Sequence, residues 1–167
     1  MITAWRIVKA RHQANAFDGE GARLNGGRWS SPGSSVVYTA ESAALAALEL
    51  LVHLGRGSAL QAYVLVACSF HEKVVSRLDR ARLPPNWRSY QAPAQLQLIG
   101  DEWLTNNASA VLEVPSVIIE TESNYLLNPI HTDFASLVIS EPEPFRFDVR
   151  LQGRQRAGAK GDVRQAG

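Results

Sequence analysis

The sequence predicts an α+β fold, a single domain with a mixed or mainly antiparallel, split sheet and few helices. Strand-like apolar runs lie on both sides of the few helical patterns, and no βαβ alternation links them. The length of 167 residues suits one domain, long enough to bury about two-thirds of its unfolded surface.

In chain order, residues 3–8 read as a first strand in which Trp5, Ile7 and Val8 are apolar and Arg6, by period-two alternation, faces away from Trp5 and Ile7. Residues 11–28 read as loop, with Gly19, Gly21, Gly26 and Gly27 permitting positive φ and close ligand approach. A glycine and serine turn then carries Arg28 and Trp29, and a short strand ends at Tyr38. Residues 42–54 predict a helix, with Ser42 as N-cap and Gly55 as the stop just past its end. Apolar nearly all round, this helix is predicted to be buried. Its ionisable side chains are Glu49 and His53, one turn apart, and Glu49 shares a side with Leu45, Leu48 and Val52. A carboxylate there needs a partner or a cleft wall. An i,i+4 contact with His53 or an ion pair with an arginine would supply one.

Residues 61–70 read as a strand buried on both faces through Val64, Leu65, Val66 and Ala67. Residues 74–83 are short and polar on one side, and Pro84 to Trp87 break the chain. A second, amphipathic helix is predicted over 93–107, with Pro93 near its first turn, Leu96, Ile99, Trp103 and Leu104 inward, and Gly100 a local weakness. Residues 110–114 and 117–121 read as strands interrupted by Pro115. Residues 123–134 read as polar loop, and 136–140 and 145–151 as final strands. From Gln152 onward, glycine and scattered charge predict a disordered tail over 152–167.

Composition narrows the function. The net charge is +1; the tail's Arg154, Arg156, Lys160 and Arg164 against Asp162 give +3, which leaves −2 on the body, so no direct nucleic-acid binding is expected. No apolar run reaches the roughly 18 residues of a membrane span. No signal-peptide core follows Met1, so a cytoplasmic protein is expected. Cys68, the one cysteine, reads as a buried thiol. No metal is expected, since His12, His53 and His131 lack ligand spacing. Neither G-x-G-x-x-G nor G-x-x-x-x-G-K-[ST] occurs, so any dinucleotide must be held outside a Rossmann frame.

The run NGGRWSSPG at 25–33, followed by VVYTA at 36–40 and ALELLVHL at 47–54, resembles the core signature of the RES domain family. The likeness continues through VPS at 114–116, NYLLNP at 124–129 with His131, and PFRFDVRL at 144–151. It covers Trp5 to about Leu151 in the family's order, and so implies a RES domain over 1–151 followed by the tail. The resemblance further implies a toxin of a bacterial toxin–antitoxin pair with an ADP-ribosyltransferase-like fold. Such a toxin takes NAD+ as substrate, and either destroys it or transfers ADP-ribose to a protein. The implied partner is an Xre-type antitoxin whose C-terminal part blocks the active-site cleft.

Breaking the nicotinamide–ribose bond develops positive charge on the ribose. A carboxylate beside that ribose binds the transition state more strongly than the ground state, and Glu49 is the candidate. Arg28, between a glycine pair and Trp29, is the leading diphosphate clamp, since arginine binds phosphate bidentately. By resemblance Arg6 is a second. Tyr38 offers a ring to stack on nicotinamide and a hydroxyl, against the alternative of a core tyrosine. Ser116 offers a hydroxyl to ribose or the leaving amide, against the alternative of a turn serine. Catalysis is thus assigned to Glu49, Arg28, Tyr38 and Ser116, and substrate binding to Arg6, Arg28, Tyr38 and Ser116. A hydrolase triad of Ser116, His131 and Asp133 is disfavoured by the absence of G-x-S-x-G. Asn124 and Asn128 are expected to satisfy backbone groups in their loop. The acceptor is water or phosphate, or alternatively a protein. The rival from another class is a non-catalytic partner-binding module in which Glu49 serves a buried ion-pair network.

Overall fold

The computed structural model describes residues 1–54 and 62–152. The helix stop expected at Gly55, the strand start at Gln61 and the tail beyond Gln152 lie outside them.

Eleven labelled elements position the site. They are β1 (Ile2–Lys9), α1 (Glu20–Asn25), β2 (Val37–Ala40), α2 (Ala43–His53), β3 (Tyr63–Phe70), β4 (Val75–Arg77), α3 (Ala94–Thr105), β5 (Val111–Pro115), β6 (Ser123–Leu127), β7 (Val138–Ile139) and β8 (Glu143–Phe145). The strands form one sheet in the order β4-β5-β6-β2-β1-β3-β7, with β8 also on β3. Every pairing is antiparallel except β4 with β5. The predicted α+β class with a mixed, mainly antiparallel sheet is therefore what the chain adopts.

The split lies between β1 and β2. β1 pairs with β3 along its whole length, Ile2 opposite Phe70 through Lys9 opposite Tyr63, but with β2 only through Trp5 opposite Ala40. β2 in turn pairs fully with β6, Val37 opposite Leu127 through Ala40 opposite Asn124. Two half-sheets thus meet at one residue pair.

Apolar side chains fill both faces. One face holds Ala4, Val37, Cys68, Phe70, Val111, Tyr125 and Leu127. On the other, α3 covers Leu112, Val114 and Leu126 with Leu96, Ile99 and Trp103, and α2 covers Ile7 and Ala40 with Leu45 and Ala46. Cys68 is the buried thiol expected of it.

Several expectations are corrected. Residues 11–28 contain a 3-10 turn at Ala10–Asn15 and helix α1. Residues 117–121 form no strand: the chain from Ser116 to Glu122 is a closed loop, with Ser116 N–H donating to Glu122 O and Glu122 N–H to Ile119 O. Residues 123–127, expected as loop, are β6, a strand interior to the sheet. The last strands shrink to β7 and β8, and Val149–Gln152 is a 3-10 turn. In β3, Val64 and Val66 are buried while Leu65 and Ala67 are only partly so, because one face of this strand is less covered than the other. Helix α2 is not buried all round: Leu45 and Ala46 face the sheet, whereas Leu48 is 38% and Val52 64% exposed. It lies on the sheet as an outer layer and turns one apolar stripe outward.

Candidate active site

Helix α2 begins where the sequence places it. Ser42 Oγ accepts from Leu45 N–H at 3.0 Å, a cap worth about 1 kcal/mol, and donates to Glu122 Oε2 at 2.7 Å. That second bond ties the helix start to the loop after Ser116. Two turns on, Glu49 reaches the same region from the helix side.

Glu49 is half-buried. Its Oε1 accepts from Asn124 Nδ2 at 2.8 Å and from Ser116 Oγ at 3.4 Å. Among the described residues no arginine, lysine or histidine nitrogen forms a salt bridge with it, and no protein donor meets Oε2. The ion pair anticipated for this carboxylate is absent there. Exposed His53 does not hold it either: the imidazole Nδ1 lies 2.6 Å from the backbone carbonyl of Glu49, its i−4 position.

Ser116 is fully buried. Its oxygen accepts from Ile118 N–H at 3.1 Å and Ile119 N–H at 3.2 Å, which directs its own proton toward Glu49. The hydroxyl offered to a ribose is thus occupied within the protein. Asn124, expected to serve a loop, lies on β6 directly opposite Ala40, on the face that α2 covers. Its Nδ2 is given to Glu49, and its buried Oδ1 has no partner. A buried acceptor left unmade costs about 1–3 kcal/mol. Asn128 does keep a loop role, its Oδ1 accepting from Ile130 N–H at 3.2 Å.

The turn carrying Arg28 is built from both sides. Trp29 is buried against Leu96, Ile99 and Trp103, an anchor whose loss to alanine costs about 3–5 kcal/mol. Its backbone rests on α3 at Gly100, where an added Cβ would stand 1.7 Å from Trp29 O. What looks in sequence like a weak point of α3 is therefore the seat of the turn. Gln97 Nε2 donates to Gly27 O at 3.0 Å, and Ser31 N–H donates to Asp101 Oδ1 at 3.0 Å. From below, Tyr38 Oη accepts from Trp29 N–H at 3.1 Å and pairs with Ser30 Oγ at 2.9 Å, close under Gly27. Burial raises the Tyr38 pKa, the bond from Ser30 offsetting part of the effect. The Tyr38 hydroxyl is committed to the turn.

Arg28 donates to Trp87 O at 2.9 Å and Ser89 O at 3.1 Å, using two of its five N–H groups. Burial lowers its pKa and the nearby negative charge of Glu49 opposes part of that shift, while no salt bridge joins the two. Arg88 continues the link through an ion pair with Glu120 in the loop after Ser116. At the seam between the half-sheets, Arg6 donates to Tyr38 O at 2.6 Å, and its buried Nε has no partner. Loss of hydration pushes its pKa down to about 10, Asp18 offsetting a part.

The structure therefore brings Arg6, Arg28, Tyr38, Glu49 and Ser116 into one connected region and adds Asn124. It leaves out His131, whose Nδ1 accepts from Asp133 N–H at 3.0 Å to cap a 3-10 turn, so no Ser116–His131–Asp133 relay forms. Among the described residues no group of three or more His, Cys, Asp or Glu could hold a metal ion. No helix there is long and apolar enough to cross a membrane.

Comparison with known proteins is consistent across the chain. A sequence profile described as the RES domain matches residues 3–148. A protein named Toxin Res from Yersinia enterocolitica is 41% identical over 149 residues, covering 89% of this chain and 98% of that protein. The Prs ADP-ribosylating toxin of a Sphingobium species is 35% identical over 152 residues, covering 88% and 94%. Among solved structures, the M. tuberculosis MbcT–MbcA toxin–antitoxin complex contains a chain similar in fold, with a TM-score of 0.67 over 86% of this chain and 84% of that one, at 21% identity.

Proposed function

Since the chain belongs to the RES domain family, we propose that it is the toxin of a toxin–antitoxin pair that destroys NAD+ by breaking the nicotinamide–ribose bond. The observation that carries this reading is Glu49: a carboxylate held at one oxygen by two neutral donors and without a described salt-bridge partner at the other.

In this mechanism the diphosphate of NAD+ lies on the free N–H groups of Arg28 and Arg6, two guanidiniums whose charge no described carboxylate neutralises by direct pairing. Tyr38 keeps the Arg28 turn in place and presents the carbonyl that steers Arg6. Nicotinamide leaves with the electron pair of its bond to C1′. The positive charge left on the ribose is met by Glu49 Oε2, a carboxylate oxygen that no described cation pairs with directly. Water or phosphate then supplies the oxygen that bonds to C1′ and gives up its proton.

The kinship with the Prs ADP-ribosylating toxin supports a second reading, in which a protein side chain is the acceptor. Both readings use the same Glu49. The MbcT–MbcA complex supports an antitoxin as partner, and we assign it the Xre type from the family resemblance.

The deciding experiment is loss of NAD+ on adding purified protein, with and without phosphate, beside Glu49→Gln. Loss that falls about 10²–10³-fold in a variant with unchanged melting temperature is the expected result. A variant that unfolds instead favours the non-catalytic module, and no loss under any condition overturns NAD+ destruction.

A further inference from the structure

We infer that Asn124 is a positioning residue for Glu49, retained for the site and not for the fold; this deepens the NAD+ reading and rests on it. Within β6 the neighbours Tyr125, Leu126 and Leu127 are buried apolar residues that knit the sheet to both its faces. Asn124 breaks that pattern at a position opposite Ala40, where a small apolar residue would pack as well. Its side chain returns little to stability, because Oδ1 is buried without a donor while Nδ2 makes one bond, to Glu49 Oε1. A buried polar group kept at a loss is the mark of a working site.

The amide also suits Glu49 for a chemical reason. Ser116 reaches the same Oε1 from farther, 3.4 Å against 2.8 Å, so Asn124 supplies the shorter of the two bonds that fix the carboxylate plane. Both donors are neutral. Arginine or lysine in that position would restrain Glu49 equally but would cancel the negative charge the ribose cation needs. Holding one oxygen with neutral donors leaves Oε2 both aimed and charged.

Three variants test this beside Glu49→Gln. Asn124→Leu is expected to melt no lower than the wild type and to lose about 10–100-fold in kcat with little change in KM, the cost of a misaimed group. Asn124→Asp keeps the shape but sets a second carboxylate against Glu49. It is expected to lose kcat at least as far as Asn124→Leu, because the donor to Glu49 Oε1 is replaced by a like charge. The Asn124 side-chain amide resonances, followed by NMR in the absence of NAD+, are expected to move in Glu49→Gln and not in His53→Ala. Wild-type kcat in Asn124→Leu, with Glu49→Gln inactive, overturns the inference while leaving the NAD+ reading standing. A wild type inert toward NAD+ overturns both, and an amide signal that still answers to Glu49→Gln then marks the contact as structural.

Discussion

Ser116 Oγ lies 3.4 Å from Glu49 Oε1 while accepting two backbone N–H groups, so the serine is a bridge between a loop and a carboxylate. On the proposed mechanism, its effect on substrate passes through Glu49. Ser116→Ala is therefore expected to divide its cost unequally. Stability falls by about 1–3 kcal/mol, because the N–H groups of Ile118 and Ile119 lose their acceptor. Activity falls by less than about tenfold, because Asn124 still holds the carboxylate. Urea denaturation and NAD+ turnover on one preparation measure the two; a dead but fully stable variant would instead place Ser116 against the substrate.

Gly100→Ala tests the seat of the Arg28 turn. With a Cβ 1.7 Å from Trp29 O, backbone must move, and the expected loss is at least about 3 kcal/mol. A comparable change at Leu98, which is 65% exposed on the same helix, costs about 0.5 kcal/mol or less. Thermal melts of both variants decide, and KM for NAD+ is expected to rise only for Gly100→Ala.

Arg6 gives a pH dependence with a definite sign. A cation whose folded-state pKa is pushed down to about 10, well below its unfolded value, penalises folding while it is protonated in both states. The penalty recedes as pH rises through 10. The stability difference between wild type and Arg6→Met, from urea midpoints at pH 8 to 11, is expected to move in favour of the wild type. A flat difference would mean that Arg6 finds an anion in solution.

Cys68 is expected to be inert. Burial pushes its thiol up to about 12, so almost none is thiolate near neutrality. A disulfide reagent at pH 8 should leave the folded protein unlabelled and NAD+ turnover unchanged, and should titrate one thiol after denaturation. Rapid labelling without unfolding would show that the interior opens.

Sequence patterns located α2, α3, β1 and β3 because their apolar periods and end signals are local: Ser42 caps where it should, and Leu96, Ile99 and Trp103 turn inward as spaced. They failed where neighbours across the sheet decide. Ser123 and Asn124 read as loop, yet become strand because β2 and β5 flank them. The same failure concealed Asn124 at the site, for its role depends on a helix 75 positions earlier. The signal available was a polar residue heading the apolar run Tyr125, Leu126 and Leu127. Gly100 misled for a related reason: helix propensity counts the missing side chain as a cost, whereas the packing of Trp29 requires it to be missing.

The pairing of β2 with β6 also sets a time for activity. Glu49 meets Ser116 and Asn124 across 67 and 75 residues, and β6 closes the sheet from the far side of the chain. Contacts of such separation form late, after the long loop between them has been ordered. On the ribosome, a nascent chain that has passed Glu49 but not yet Asn124 holds a carboxylate with neither of its supports. On the proposed reading, activity is then a property of the nearly finished polypeptide, and a fragment ending before Asn124 is expected to leave NAD+ untouched.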